Sequence, residues 1–151
     1  MRRMRRSLGP MTTMTHHLNL AAPIDRVRAA LTTPEGIAGW WAKDSDVGTG
    51  LGARHELRFD KEGRTVTMAF EVTELSDDAV AWRCTDNDNP VWPGTTLRWS
   101  LTTAGDRTRV VFEHAGFAED TSPPYAMTAE GWKHFMASFE TYVETGAGQP
   151  W

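Results

Sequence analysis

Only one cysteine, Cys84, occurs in the 151 residues. An internal disulfide is therefore ruled out, as is a zinc site built on paired CxxC motifs, and a reducing cytoplasm is the expected location. Long apolar runs are missing too. None approaches the ~20 residues that a membrane-spanning helix needs, so no membrane partner is expected. The opening MRRMRR looks like the charged start of a signal peptide, but SLGPMTTMTHH follows it where an apolar stretch should stand, and export is not expected. Met11 and Met14 offer alternative starts. Residues 1–12 read as a disordered tail, ahead of one domain over 13–151.

Positive charge becomes scarce once that tail is set aside. Net charge is −4, yet four of the 16 basic residues are Arg2, Arg3, Arg5 and Arg6, which leaves 12 against 20 acidic residues, a body near −8. Such a body repels a phosphate backbone, and no basic stripe follows. Nucleic acid is not expected as a partner.

What the chain has in quantity is tryptophan, seven in all, set within clear periodic patterns. THHLNL (15–20) alternates His16, Leu18 and Leu20 on one face. Pro23 then opens a helix striped by Ile24, Val27 and Leu31, and Thr33-Pro34-Glu35 starts a second, short helix that runs into Trp40-Trp41. From residue 54 the period is two. His55, Leu57 and Phe59 share one face, as do Val66, Met68, Phe70 and Val72. Val80, Trp82 and Cys84 form a third row that Asp86 should end, and Leu97, Trp99 and Leu101 form a fourth. Thr108, Val110, Phe112 and His114 form the last. Turns at Lys61-Glu62-Gly63, Ser76-Asp77-Asp78 and Ala104-Gly105-Asp106 are hairpin-sized, and only NDNPVWPG (87–94) is longer.

The final element is a helix predicted over 127–145, with Trp132, Phe135, Met136, Phe139 and Val143 at spacings of three and four. Gly146 should cap it. The expected fold class is α+β: an antiparallel meander with one apolar face, covered by a long aromatic helix and a two-helix lid.

This order of elements resembles the helix-grip fold of the START/Bet v 1-like (SRPBCC) superfamily. The segment APIDRVRAALTTPEGIAGWWA resembles the opening of the branch named after the activator of Hsp90 ATPase. WPGT (92–95), FEHAGF (112–117), GWKHF (131–135) and YVETGAGQP (142–150) are similar to later parts of that branch. The resemblance runs over roughly residues 14–150. It implies a curved sheet wrapped around the last helix, with a cavity between them that commonly holds a hydrophobic or aromatic small molecule. Some members are enzymes and others carriers or sensors.

Candidate site residues follow from the inward rows. Trp40 and Trp41 end the lid; Phe59, Phe70, Trp82, Trp99 and Phe112 line the sheet face; Trp132, Phe135 and Phe139 face them from the helix. Indoles converging on one layer are hard to pack without gaps, and gaps lined by aromatics suit flat apolar ligands. Trp92 reads either as a rim residue or as cover for the sheet edge. His114 ends a greasy row, where a buried imidazole needs a partner. Three roles fit it: a core histidine bonded to a carbonyl or a lid residue, a cavity wall residue bonded to the ligand, or an acid or base acting near neutral pH.

A Cys84–His114 nucleophilic pair does not follow, because one strand separates theirs and two ~4.8 Å steps leave their backbones about 10 Å apart. The five histidines lack metal-ligand spacing. No catalytic residue, metal or cofactor is assigned. The expected function is binding of a small hydrophobic molecule. A cyclase- or hydrolase-like enzyme using the same cavity, or a co-chaperone-like module for a protein partner, are the alternatives, and a homodimer is left open.

Overall fold

Alternating side chains make the sheet, and their register makes it continuous. The computed structural model describes residues 12–118 and 122–151. Its elements are β1 (Thr12–Leu20), α1 (Ile24–Thr32), α2 (Pro34–Trp40), β2 (Asp44–Val47), β3 (Arg54–Lys61), β4 (Arg64–Leu75), β5 (Ala79–Asn87), β6 (Thr96–Ala104), β7 (Arg107–Phe117) and α3 (Pro123–Thr145). Seven antiparallel strands lie in the order β1-β7-β6-β5-β4-β3-β2. The meander from β2 to β7 thus closes on the first strand, and the curved sheet holds α3 in its concave side. The expected helix-grip fold is the one observed.

Local chemistry accounts for the joints. Glu62 and Gly63, at φ 55° and 78°, make the two-residue turn between the paired Lys61 and Arg64. A turn with positive φ at both positions matches the twist of the strands it joins. Thr33 Oγ1 accepts the Gly36 N–H at 3.0 Å, capping α2 with Pro34 just inside it. Gly146 ends α3 in the left-handed conformation, its N–H reaching the Tyr142 carbonyl.

Four details differ from the sequence expectations. The helix α3 begins at Pro123, not 127, because prolines at its first positions remove only N–H groups that would lack helical partners anyway. The short strand β2 was not expected, since DSDV has no apolar alternation; Arg58, paired to Asp44 and reaching Asp46, holds it on β3. Asp86 does not end an inward row. Phe70 pairs with Cys84 but Ala69 with Asp86, so a bulge at Thr85 reverses the alternation, leaving Asp86 exposed and Asn87 buried. Last, Thr12 opens β1, and the rest of the expected tail, residues 1–11, lies outside the described residues.

The core is an aromatic layer between sheet and α3. Trp40, Trp41, Trp82, Trp99 and Trp132 are all fully buried. Trp41 is its hub, stacked on Trp82 at 5.8 Å with planes 5° apart and 5.3 Å from both Trp40 and Trp132. The lid supplies the middle of the layer. Trp40 is locked there by its indole N–H, which donates to the Ala30 carbonyl at 2.8 Å, and by Phe139, edge-on at 5.0 Å.

Candidate functional site

Beside this layer the packing opens into a cavity of about 450 Å³. Five parts of the chain build it. The β3–β4 hairpin gives Phe59, Lys61, Arg64, Val66 and Met68; the segment after the Thr85 bulge gives Asn87, Asp88, Asn89, Pro90 and Trp92. The first half of α3 gives Pro124, Met127, Thr128, Gly131, Trp132 and Phe135, while Trp41 forms the floor and Trp151 closes one side. Met127 and Trp151 are about half exposed at the rim. The volume falls in the range of small-molecule pockets, commonly ~300–1,000 Å³.

The polar groups of the wall are largely committed to one another. The Trp92 indole N–H donates to Thr128 Oγ1 at 2.8 Å, and that hydroxyl donates to the Pro124 carbonyl at 3.0 Å. Asn89 binds the same carbonyl through Nδ2. Arg64 pairs with Asp88 at 2.8 Å. Trp151 is held by two bonds, its backbone N–H to the Trp41 carbonyl and its indole N–H to the Asp60 carbonyl. Such ties keep the wall in place without a ligand.

Four of the eleven sequence candidates line this cavity: Trp41, Phe59, Trp132 and Phe135. Trp40, Phe70, Trp82, Trp99, Phe112 and Phe139 pack into the aromatic layer behind it. His114 also stands behind the wall, with no exposure. Its Nδ1 accepts the Trp132 indole N–H at 2.9 Å. Because indole only donates, Nε2 must carry the proton and donate to Thr95 Oγ1 at 2.7 Å. The threonine hydroxyl in turn donates to the Trp92 carbonyl at 2.6 Å.

Both ring nitrogens are therefore used by protein groups, and burial pushes the imidazole pKa down to about 3. His114 is a neutral strut between two wall tryptophans. It does not touch the cavity.

Cys84 is buried and its thiol is pushed up to about 12 by burial, an inert environment. Strand β6 separates it from His114, as the register argument expected. Among the described residues no three His, Cys, Asp or Glu side chains gather as metal ligands would. None of the described helices is long and apolar enough to cross a membrane.

Cavity residues outside the sequence candidates escaped notice for different reasons. Asn87 was hidden by the bulge, Lys61 and Arg64 by looking like solvated turn residues, and Val66 and Met68 were assigned to the core. Trp92 is a wall residue, the loop folding inward on Thr128. Trp151 carries no sequence signal.

A helix-grip frame with an aromatic cavity beside α3 has known relatives. Residues 21–144 match the family model described as Activator of Hsp90 ATPase homolog 1-like protein. The chain belongs to this family. The Activator of Hsp90 ATPase homolog 1-like fold extends to solved structures. The Aha1 dimer from Colwellia psychrerythraea is 28% identical, with a TM-score of 0.74 over 91% of this chain and all of that one. DynU16, a protein of the dynemicin biosynthetic locus, is 22% identical with a TM-score of 0.74, over 92% of this chain and 49% of its own. Ara h 8.0201 is 9% identical with a TM-score of 0.70, over 89% of this chain and 98% of its own; these last two likenesses concern the fold alone. No curated protein matches the chain in sequence.

Proposed function

We propose that this protein binds a flat hydrophobic or aromatic small molecule in the cavity beside α3 and performs no chemistry on it. One observation carries the reading: about 450 Å³ of space walled by Trp41, Phe59, Trp92, Trp132 and Phe135, held open by hydrogen bonds among wall residues. Four aromatic candidates from the sequence are the contacts in this reading, and the other seven support them from behind. Binding of this kind draws on burial of apolar ring surface, ~25 cal/mol per Å² removed from water.

The enzyme alternative has less support. General acid–base work needs a group that exchanges protons near the working pH. Neither His114 nor Cys84 does, and the ionic groups of the wall are Lys61 and the paired Arg64 and Asp88. A protein-partner role has less surface to support it: of the large exposed apolar side chains among the described residues, Met127 and Trp151 belong to the cavity rim, which leaves Leu51 and Leu75. The dimeric Colwellia relative makes self-association the oligomeric state to test first. A cytoplasmic setting, proposed from the lone cysteine, fits a carrier of intracellular metabolites.

The test is titration with N-phenyl-1-naphthylamine, a neutral probe that brightens in apolar surroundings and accepts energy from tryptophan. Saturation at one probe per chain supports the proposal. A linear, unsaturable signal contradicts it.

A further inference from the structure

Asn87 is nine-tenths buried and lines the cavity. Its Oδ1 accepts the backbone N–H of Asn89 at 2.8 Å, which assigns the two ends of the amide. Its Nδ2 is buried and has no partner among the described residues. An orphaned buried donor is costly, and native proteins seldom keep one without use. The neighbouring side-chain acceptors are engaged elsewhere: Asn89 Oδ1 accepts the Val91 N–H and Thr128 Oγ1 accepts the Trp92 indole N–H, while the indoles of Trp92 and Trp132 can only donate.

The charges on the wall point the same way. Asp88 is neutralised by Arg64, and Lys61, half-buried, makes no ion pair among the described residues. One positive charge is thus in excess around an otherwise apolar space, in a chain whose net charge is −4.

We infer that the cavity selects an aromatic molecule bearing a carbonyl or carboxylate oxygen, which accepts a hydrogen bond from Asn87 Nδ2 and, when charged, is favoured by Lys61. The inference rests on the proposed binding reading and names its ligand class. Only an acceptor is rewarded, because the acceptor end of the amide already serves the turn. The bulge at Thr85 is what places Asn87 on the cavity side of the strand; an unbulged strand would have presented Asp86, which would repel the same ligand.

The experiment compares 2-acetylnaphthalene with its apolar isostere 2-isopropylnaphthalene and with 2-naphthoate, each titrated by tryptophan quenching. Proteins are the wild type, Asn87→Asp and Lys61→Gln. Asn87→Asp retains the acceptor for Asn89 and so keeps the turn while removing the donor. It should weaken 2-acetylnaphthalene about tenfold relative to 2-isopropylnaphthalene, and 2-naphthoate still more. Lys61→Gln should weaken 2-naphthoate alone. If Asn87→Asp moves the ketone and its isostere alike, a water satisfies Nδ2 and the selectivity is overturned while the cavity reading stands. If the wild type fails to bind even 2-isopropylnaphthalene saturably, the cavity reading falls and this inference with it.

Discussion

The Trp132 indole N–H donates to Nδ1 of His114 at 2.9 Å, so a cavity wall residue is held from behind by a neutral imidazole. That bond explains why a histidine ends an apolar row. It supplies an acceptor on one side and a donor on the other in a place where neither Phe nor Gln offers the same planar reach. The chain Trp132, His114, Thr95, Trp92 carbonyl ties the helix, the last strand and the β5–β6 loop together around the site.

Trp132→Phe keeps the ring and removes the N–H. It leaves Nδ1 of a fully buried histidine unpaired, at a cost of about 1–3 kcal/mol. Urea denaturation should show the loss as a lower midpoint with an unchanged slope. An unchanged midpoint would show that the bond contributes nothing.

His114 also sets a pH dependence. Its pKa falls from an ordinary 6.5 to about 3 in the fold, so the unfolded chain binds this proton first. The stabilising effect of the neutral ring is complete above pH about 6.5 and is lost as pH falls toward 3, with a slope of at most ~1.4 kcal/mol per unit. The stability difference between wild type and His114→Gln, measured by denaturation from pH 8 to pH 4, should shrink as the medium becomes acidic. A difference independent of pH would mean the imidazole titrates normally.

Phe139→Ala removes a fully buried ring that packs edge-on against Trp40. The expected cost is about 3–5 kcal/mol. Because Phe139 is absent from the cavity wall, the molecules that remain folded should bind N-phenyl-1-naphthylamine as the wild type does. A binding defect larger than the unfolded fraction would move Phe139 into the site.

Cys84 should resist alkylation. With the thiol buried and its pKa raised to about 12, iodoacetamide at pH 8 should label it only after urea is added. Rapid labelling of the native protein would contradict its placement.

The element order and the inward rows were legible because sheet and helix periods differ and because turns carry their own residues. Trp82 and Trp99 fell on one face by parity alone, and they meet at 4.9 Å. What sequence could not show was how the indoles divide the space. Five of them pack one another away from solvent, and the cavity lies to one side, where the hairpin of Phe59 and the turn after Asn87 diverge from α3. A bulge has no reliable sequence mark, so the reversal that buries Asn87 was invisible. The strand β2 was hidden for another reason: ion pairs to Arg58 hold it, not apolar alternation.

Gly131 provides the most direct test of the central claim. It lies in α3 and on the cavity wall, and a Cβ there would meet nothing within 4 Å. Gly131→Leu therefore extends into the empty space while improving helix propensity, by up to ~1 kcal/mol. Titration of both proteins with N-phenyl-1-naphthylamine, alongside their urea midpoints, reads occupancy and fold together. The account predicts saturable one-site binding by the wild type, and its loss in a Gly131→Leu protein at least as stable. Equal binding by the two would place the ligand elsewhere and contradict the account.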